Sequence, residues 1–194
     1  MPKRILYVDA CVNRDTSRTE KIAQALLERV IAAGDELETL ILEDLDIEPL
    51  DSESLNRRTG LIGQEHYDDG MFELARQFAR ADEVVFAAPY WDFSFPSKLK
   101  VYLEHLCAQG VTFTYSELGI PEGRCRARRF FYVTTSGGYI GEYDFGYAQV
   151  NAACRLYFGI PEGYRIAAEG LDIVTNDAEA IVGDALRDVE LLDI

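Results

Sequence analysis

A segment before the first predicted helix combines hydroxyl side chains with arginines. Ser17 and Thr19 are the hydroxyl donors, and Arg14 and Arg18 could add positive charge. Free N–H groups and the positive end of the helix dipole meet at a helix start, so this composition predicts a site for an anion such as a phosphate monoester. Ser17 and Glu20 also have the spacing of a capping box, which would explain the serine without any ligand.

A second segment carries four aromatic side chains within six positions, namely Tyr90, Trp91, Phe93 and Phe95. The segment follows a predicted strand, and because loops run over the surface, these rings are poorly explained as core residues. A planar, apolar ligand packed against the rings would account for them. Burial under another segment or contact with a second subunit are the alternatives, since aromatic residues also mark interfaces.

A third segment is the turn Thr135-Ser136-Gly137-Gly138, which follows another predicted strand. Two glycines allow a ligand to approach the backbone closely, and their N–H groups could face the carbonyl edge of a heterocycle. Tight-turn geometry explains the two glycines equally well. Together the three segments predict a phosphate end, an aromatic wall and an amide-rich edge, which is the outline of a flavin mononucleotide (FMN) site.

The predicted secondary structure places all three segments at the carboxyl ends of strands. Strands are predicted at residues 5–8, 37–42, 83–88, 130–134 and 164–168, a short β segment at 111–115, and helices at 19–33, 72–80, after Pro96, at 147–158 and at 177–192. This alternation predicts an α/β fold with a doubly wound five-stranded parallel sheet, in the order 2-1-3-4-5, and helices on both faces. Ligands of such sheets bind beyond the carboxyl ends of the strands, at the switch between strands 1 and 3. Residues 1–194 are expected to form one domain, with residues 51–69 as an irregular surface insertion.

Composition and charge exclude several classes of protein. The chain has 194 residues, of which 48% are apolar and 27% charged, as expected for one globular domain. Its 19 Lys and Arg against 34 Asp and Glu give a net charge of −15, so a nucleic-acid or anionic-membrane partner is not expected. No apolar run approaches the roughly 20 residues of a membrane span. The short run after Arg4 is typical of a first strand rather than a signal peptide.

The four cysteines predict neither a metal site nor a nucleophile; they are Cys11, Cys107, Cys125 and Cys154. No C-x-x-C pair occurs, and only His66 and His105 could complete a zinc site, so free thiols in a reducing cytoplasm are expected. Six residues separate Cys11 from Arg18, one more than in the Cys-x5-Arg loop of low-molecular-weight phosphatases. Flanking arginines could lower the pKa of Cys125, but an ordinary thiol in a basic loop is the favoured interpretation.

The three segments resemble those of the flavodoxin-like NAD(P)H oxidoreductases, specifically the FMN-dependent azoreductase and NADH:quinone oxidoreductase family. Ser17-Arg18-Thr19 is similar to the phosphate loop of that family, Tyr90-Trp91-Asp92-Phe93 to its Pro-x-Tyr-Asn-Phe flavin segment, and Thr135-Ser136-Gly137-Gly138 to its Ser-Arg-Gly-Gly segment. The likeness extends over nearly the whole chain. It implies cofactor contacts from Cys11, Ser17, Arg18, Thr19, Tyr90, Trp91, Asp92, Phe93, Thr135, Ser136, Gly137 and Gly138.

The resemblance also implies an activity and an assembly. It implies bound FMN, a homodimer with active sites at the subunit interface, and ping-pong transfer of two electrons from NADH or NADPH to quinones, azo compounds or nitroaromatics. The cofactor supplies the hydride chemistry, so neither a catalytic side chain nor a metal is expected. A flavodoxin-type electron carrier and a flavin-sensing module without turnover are the alternatives.

Three residues depart from the pattern of that family. Cys11 stands where the family usually has a serine, and a thiol is a poorer hydrogen-bond partner than a hydroxyl. Ser136 replaces an arginine, which removes a positive charge near the substrate. Asp92 replaces an amide beside the flavin, and we expect its negative charge to disfavour the anionic reduced flavin and to lower its potential.

Overall fold

Five parallel strands form the central sheet of this protein, for which a computed structural model describes residues 2–194. The strands of the chain are β1 (Arg4–Asp9), β2 (Glu36–Ile41), β3 (Glu83–Ala87), β4 (Phe113–Tyr115), β5 (Pro121–Gly123), β6 (Arg129–Thr135) and β7 (Glu162–Ala168). The sheet has the order β2-β1-β3-β6-β7, which confirms the predicted five-stranded α/β fold. The predicted numbering 2-1-3-4-5 differs in detail because β4 and β5 pair with each other, antiparallel, outside this sheet.

The central strands are apolar because both faces of the sheet are covered. Five of the six residues of β1 and all five of β3 are buried. In β1, Leu6 and Val8 pack into one apolar cluster, and Ile5 and Tyr7 pack into the other. Continuous apolar runs of this kind are typical of parallel strands between two helical layers.

Helices cover both faces of the sheet. They are α1 (Arg18–Val30), α2 (Ser52–Gly63), α3 (Glu73–Arg80), α4 (Ser97–Leu106), α5 (Phe145–Ala152) and α6 (Ala178–Leu191). Apolar residues of α1 and α6 belong to one cluster, and those of α3, α4 and α5 belong to the other. Within residues 2–194, no helix combines the length and the apolar character needed to span a membrane.

Two predicted elements differ from the structure. The insertion at residues 51–69 contains α2, which begins with reciprocal hydrogen bonds between Asp51 and Ser54. Only Arg58 of this helix is buried, so its sequence shows little of the apolar periodicity that marks an amphipathic helix. The helix predicted at 147–158 is α5 followed by a π-helical turn at Ala153–Phe158, and it ends at Gly159, whose φ is +74°.

Candidate functional site

A cleft of about 500 Å³ opens at the carboxyl ends of the sheet strands. Its lining comes from the segments after β1, β3, β6 and β7: Val12, Asn13, Thr16, Ser17, Arg18, Thr19, Pro89, Tyr90, Trp91, Thr135, Ser136, Gly137, Leu171 and Asp172. Hydrogen bonds align these segments, since Tyr90 N donates to Thr135 O (3.0 Å) and Ser136 N donates to Ala168 O (3.0 Å). The cleft therefore lies at the switch point where doubly wound sheets bind ligands. Its volume is within the range of roughly 300–1,000 Å³ that is usual for small-molecule sites.

Eight of the twelve predicted cofactor contacts line this cleft: Ser17, Arg18, Thr19, Tyr90, Trp91, Thr135, Ser136 and Gly137. Cys11, Asp92, Phe93 and Gly138 are not among the lining residues. Sequence reasoning missed Leu171 and Asp172, which follow the last strand of the sheet. Their position beyond a strand end was the one signal that could have found them.

The start of α1 offers hydrogen-bond donors at one end of the cleft. Ser17 is the N-cap of the helix, and its hydroxyl accepts a hydrogen bond from Glu20 N (3.2 Å), but the reciprocal half of the predicted capping box is not formed, because Ser17 N donates to Arg14 O (3.1 Å). The N–H groups of Arg18 and Thr19 have no hydrogen-bond partner among residues 2–194. Free N–H groups at the positive end of a helix dipole form a site suited to phosphate.

Both arginines near this end are paired with carboxylates. Arg14 forms an ion pair with Asp9, which is completely buried, and its Nη2 lies 3.5 Å from Glu20 Oε1. Arg18 Nη2 lies 2.9 Å from Asp172 Oδ1, and both of these side chains are exposed. An exposed ion pair contributes only about 0–1 kcal/mol to the free energy of unfolding, so a bound anion could displace Asp172 from Arg18 at little cost. The charge of Arg14, in contrast, already balances a buried carboxylate.

Cys11 lies beneath the loop that precedes α1. Its backbone N–H donates to Asp9 Oδ1 (2.8 Å), and its Sγ is 3.9 Å from Ala87 O. The side chain is 1% exposed, and this burial is the main cause that raises the pKa of its thiol far above the usual value. The thiol of Cys11 is therefore protonated at neutral pH and is no nucleophile.

Cys125 is also a protonated thiol. Burial raises the pKa of Cys125 to about 12. The suggestion that the flanking arginines could lower this pKa is therefore wrong, because neither Arg124 nor Arg126 offsets the desolvation of the buried sulfur.

The aromatic segment makes a tight turn beside the cleft. Trp91 N donates to Ser94 O (3.1 Å), and Ser94 N donates to Trp91 O (2.8 Å). The two residues between them, Asp92 and Phe93, have φ values of +50° and +68°, in the left-handed region that costs non-glycine residues about 1–2 kcal/mol each. Strained turns of this kind concentrate at ligand sites. The turn leaves Trp91 in the cleft lining, while Asp92 and Phe93 are exposed to solvent.

The glycine-containing turn lines the cleft next to the aromatic segment. Asp172 N donates to Gly137 O (2.9 Å), and a Cβ atom at Gly137 would overlap the Asp172 carboxylate. A side chain at position 137 would therefore force the exposed Asp172 carboxylate to move. Thr135 Oγ1 lies 2.6 Å from Thr19 Oγ1, and since Thr19 is completely buried, its hydroxyl links α1 to the turn.

Comparison with known proteins connects this geometry to a family. A family model described as "Flavodoxin-like fold" matches residues 3–191. The FMN-dependent NADH:quinone oxidoreductase 2 of Clostridium acetobutylicum is 34% identical over 191 residues, covering 95% of this chain and 94% of the relative. The FMN-dependent NADH:quinone oxidoreductase of Coprothermobacter proteolyticus is 30% identical over 196 residues, covering 97% of both chains.

Solved structures share the fold. An azoreductase from Bacillus anthracis str. Sterne matches with a TM-score of 0.83 and 21% identity over 96% of both chains. An FMN-dependent NADH-azoreductase from Bacillus anthracis str. Ames Ancestor, solved in complex with FMN, matches with a TM-score of 0.81 and 22% identity over 98% of this chain and 96% of that chain.

Proposed function

Because the chain belongs to the flavodoxin-like family that includes the FMN-dependent NADH:quinone oxidoreductases, we propose that it binds FMN and transfers two electrons from NADH or NADPH to quinones. Azo compounds and nitroaromatics are further acceptors of the same flat, electron-poor kind. The observation that carries the proposal is the cleft at the carboxyl ends of the strands, which joins free helix N–H groups, two aromatic side chains and a glycine-containing turn. Bound FMN would supply the hydride chemistry.

The residues of the cleft fit the parts of FMN. We assign the phosphate to the N–H groups of Arg18 and Thr19 and to the hydroxyl of Ser17, because a helix start stabilises an anion. Trp91 and its neighbour Tyr90 would pack against the ring system, whose apolar area favours contact with aromatic side chains.

The remaining predicted contacts have related roles in this proposal. Gly137 and Gly138 would offer backbone N–H groups to the carbonyl edge of the ring, with Thr135 and Ser136 beside them. Asp92 and Phe93 would lie on the acceptor side of the cleft. Cys11, which is buried, would support the phosphate loop from beneath.

We expect the purified protein to be yellow and to lose its visible absorption when NADH is added without oxygen. The measurement is an absorption spectrum before and after anaerobic NADH, followed by addition of a quinone, which should restore the oxidised spectrum. A yellow protein that NADH does not bleach would favour an electron carrier or a flavin sensor. A colourless protein that fails to take up added FMN would contradict the proposed function.

We further propose that the protein is a homodimer. An apolar groove of about 590 Å³ lies between α2, α4 and the π-helical turn, and its lining includes Leu55, Tyr115 and Leu156. These three side chains are 51%, 44% and 65% exposed. Contiguous exposed apolar surface is uncommon on monomers and typical of interfaces, so a second copy of the chain would cover it.

Replacing Leu156 with glutamate is expected to convert the dimer to a 21.8 kDa monomer. The carboxylate would have to be desolvated in the interface, which costs several kcal/mol, on the order of a thousandfold in dimer affinity. Sedimentation velocity measures the change. Leu191→Glu is the matched control, because Leu191 is 81% exposed on α6, on the other side of the sheet. Equal masses for wild type and Leu156→Glu would contradict the assigned interface.

The thiols support a cytoplasmic location. All four cysteines of the chain are free, two of them buried and two partly buried. Free thiols persist in reducing compartments, so we propose that the protein acts in the cytoplasm.

A further inference from the structure

Residues 139–145, here called the Tyr139 segment, carry three exposed rings next to the cleft. Tyr139, Tyr143 and Phe145 are 71%, 57% and 56% exposed. The ring of Tyr143 packs edge-on against that of Phe93, with the two centroids 5.8 Å apart. The Tyr139 segment therefore extends the aromatic surface of residues 90–93.

Hydrogen bonds connect the Tyr139 segment to residues 90–93. The Tyr90 hydroxyl donates to Tyr143 O (3.0 Å), and Phe145 N donates to Phe93 O (3.2 Å). These contacts place the two groups of rings side by side, so a displacement of the Tyr139 segment would change the space between them.

One side chain of the sheet holds both ends of the Tyr139 segment. Arg165, on β7, donates from Nε to Asp144 Oδ2 (2.6 Å) and from Nη2 to Glu169 Oε1 (2.8 Å). Glu169 Oε2 in turn accepts from Ile140 N (2.9 Å), near the start of the segment. Asp144 Oδ1 accepts from Tyr147 N (3.1 Å) and so caps α5. Arg165 thus links the start and the end of the segment to the last strand of the sheet.

The two ion pairs of Arg165 are partly shielded from solvent. The side chains of Arg165, Asp144 and Glu169 are 29%, 18% and 26% exposed, so solvent screens them only partly. Burial alone would lower the pKa of Arg165 and raise that of Glu169, but their hydrogen bonds outweigh burial and shift both pKa values the other way. Both groups are therefore charged at neutral pH. A lysine could not replace the arginine fully, because an ammonium lacks the planar fork that reaches two carboxylates.

We propose that Arg165 is a positioning residue that fixes the Tyr139 segment relative to residues 90–93 and thereby sets how well a flat aromatic acceptor fits between them. This inference rests on the proposed function. Arg165 is not part of the cleft lining, so its effect on acceptors is separate from FMN binding.

Replacement of Arg165 by glutamine tests the proposal. We expect hydrogen exchange at the Ile140 and Phe145 amides to become faster and the KM for menadione to rise about tenfold, since one aromatic contact with the acceptor is worth up to about tenfold in affinity. The value of kcat at saturating menadione and the Kd for FMN should stay within about threefold of wild type, because Arg165 does not line the cleft assigned to FMN and weaker acceptor binding alone raises KM without changing kcat. Arg165→Lys should give an intermediate KM.

Arg187→Gln is the matched control, because Arg187 forms an exposed pair with Asp184 on α6, remote from the cleft. Unchanged amide exchange in Arg165→Gln would overturn the proposal, and so would faster exchange with an unchanged KM. Absence of menadione turnover in wild-type protein would overturn the proposed function together with this inference. Normal wild-type turnover with an unaltered KM in the variant would overturn this inference alone.

Discussion

Replacing Arg14 with glutamine is expected to lower the free energy of unfolding by about 2–4 kcal/mol. The Asp9 carboxylate is completely buried, and Arg14 is the one cation that contacts it among residues 2–194. Loss of one partner of a buried pair costs about 3–5 kcal/mol because the other charge is left unpaired. We place the loss somewhat lower because 35% of the Arg14 side chain reaches solvent. Urea titration of the apoprotein measures it.

The matched control is Arg18→Gln, at the first residue of α1. Arg18 pairs with the exposed Asp172, so its loss should cost less than about 1 kcal/mol. The double variant Asp9→Asn, Arg14→Gln should recover part of the stability lost in Arg14→Gln, because it removes the unpaired charge. Equal, small losses in Arg14→Gln and Arg18→Gln would contradict the role assigned to Arg14.

The buried pair also determines the shape of the loop that precedes α1. One oxygen of the Asp9 carboxylate accepts a hydrogen bond from Cys11 N (2.8 Å), and the other binds Arg14. The Glu20 carboxylate accepts a hydrogen bond from the Tyr7 hydroxyl. The loop is therefore held from below by side chains that do not reach the cleft. We expect weaker FMN binding in Arg14→Gln as a consequence of the misplaced loop, although Arg14 itself is assigned no contact with the phosphate.

The fold was predictable where apolar patterns reflect burial on both sides. The runs at residues 5–8 and 83–88 correspond to β1 and β3, which helices cover on both faces. The helix α2 escaped prediction because Arg58 is its one buried residue, so that its sequence carries little apolar periodicity. The strand β5 escaped for a similar reason, since none of its three residues is buried and they owe their conformation to pairing with β4.

The candidate site was predictable where it is built from contiguous residues after a strand. Ser17, Trp91 and Gly137 lie in such segments and line the cleft. Asp172 was missed because it reaches the cleft only through the packing of the loop after β7 against Gly137. The local sequence placed Arg14 beside hydroxyl groups, but its pairing with Asp9 depends on how the loop folds back over the end of β1.

The pairing of both arginines changes the expected source of phosphate affinity. With Arg14 held by Asp9 and Arg18 shared with Asp172, no unpaired arginine of this loop faces the cleft. The binding energy would come mainly from the N–H groups at the start of α1 and from the hydroxyl of Ser17. Ser17 therefore has two roles, as the helix cap and as a phosphate donor, and the two can be separated by substitution.

Replacing Ser17 with aspartate is expected to leave the helix capped and to weaken FMN binding by about a thousandfold. Aspartate caps helices as well as serine does, so stability should stay within about 0.5 kcal/mol of wild type, whereas Ser17→Ala should lose about 1 kcal/mol. The introduced carboxylate and the FMN phosphate are both negative. At about 4 Å near a protein surface, two like charges repel by about 4 kcal/mol, which corresponds to about a thousandfold increase in the Kd for FMN. Ser17→Ala loses one hydrogen bond to the phosphate, worth roughly tenfold. Fluorescence titration with FMN and thermal unfolding of the apoprotein measure the two effects.

The two substitutions should therefore rank in opposite orders. Alanine is the more harmful change for stability, and aspartate is the more harmful change for FMN affinity. If FMN binding were lost because the helix is damaged, Ser17→Ala would instead weaken FMN binding more than Ser17→Asp. Riboflavin is the matched ligand control, because it lacks the phosphate and should bind wild type and Ser17→Asp with the same affinity. If the Kd for FMN followed stability, or if Ser17→Asp weakened riboflavin as much as FMN, the phosphate would not lie at the start of α1.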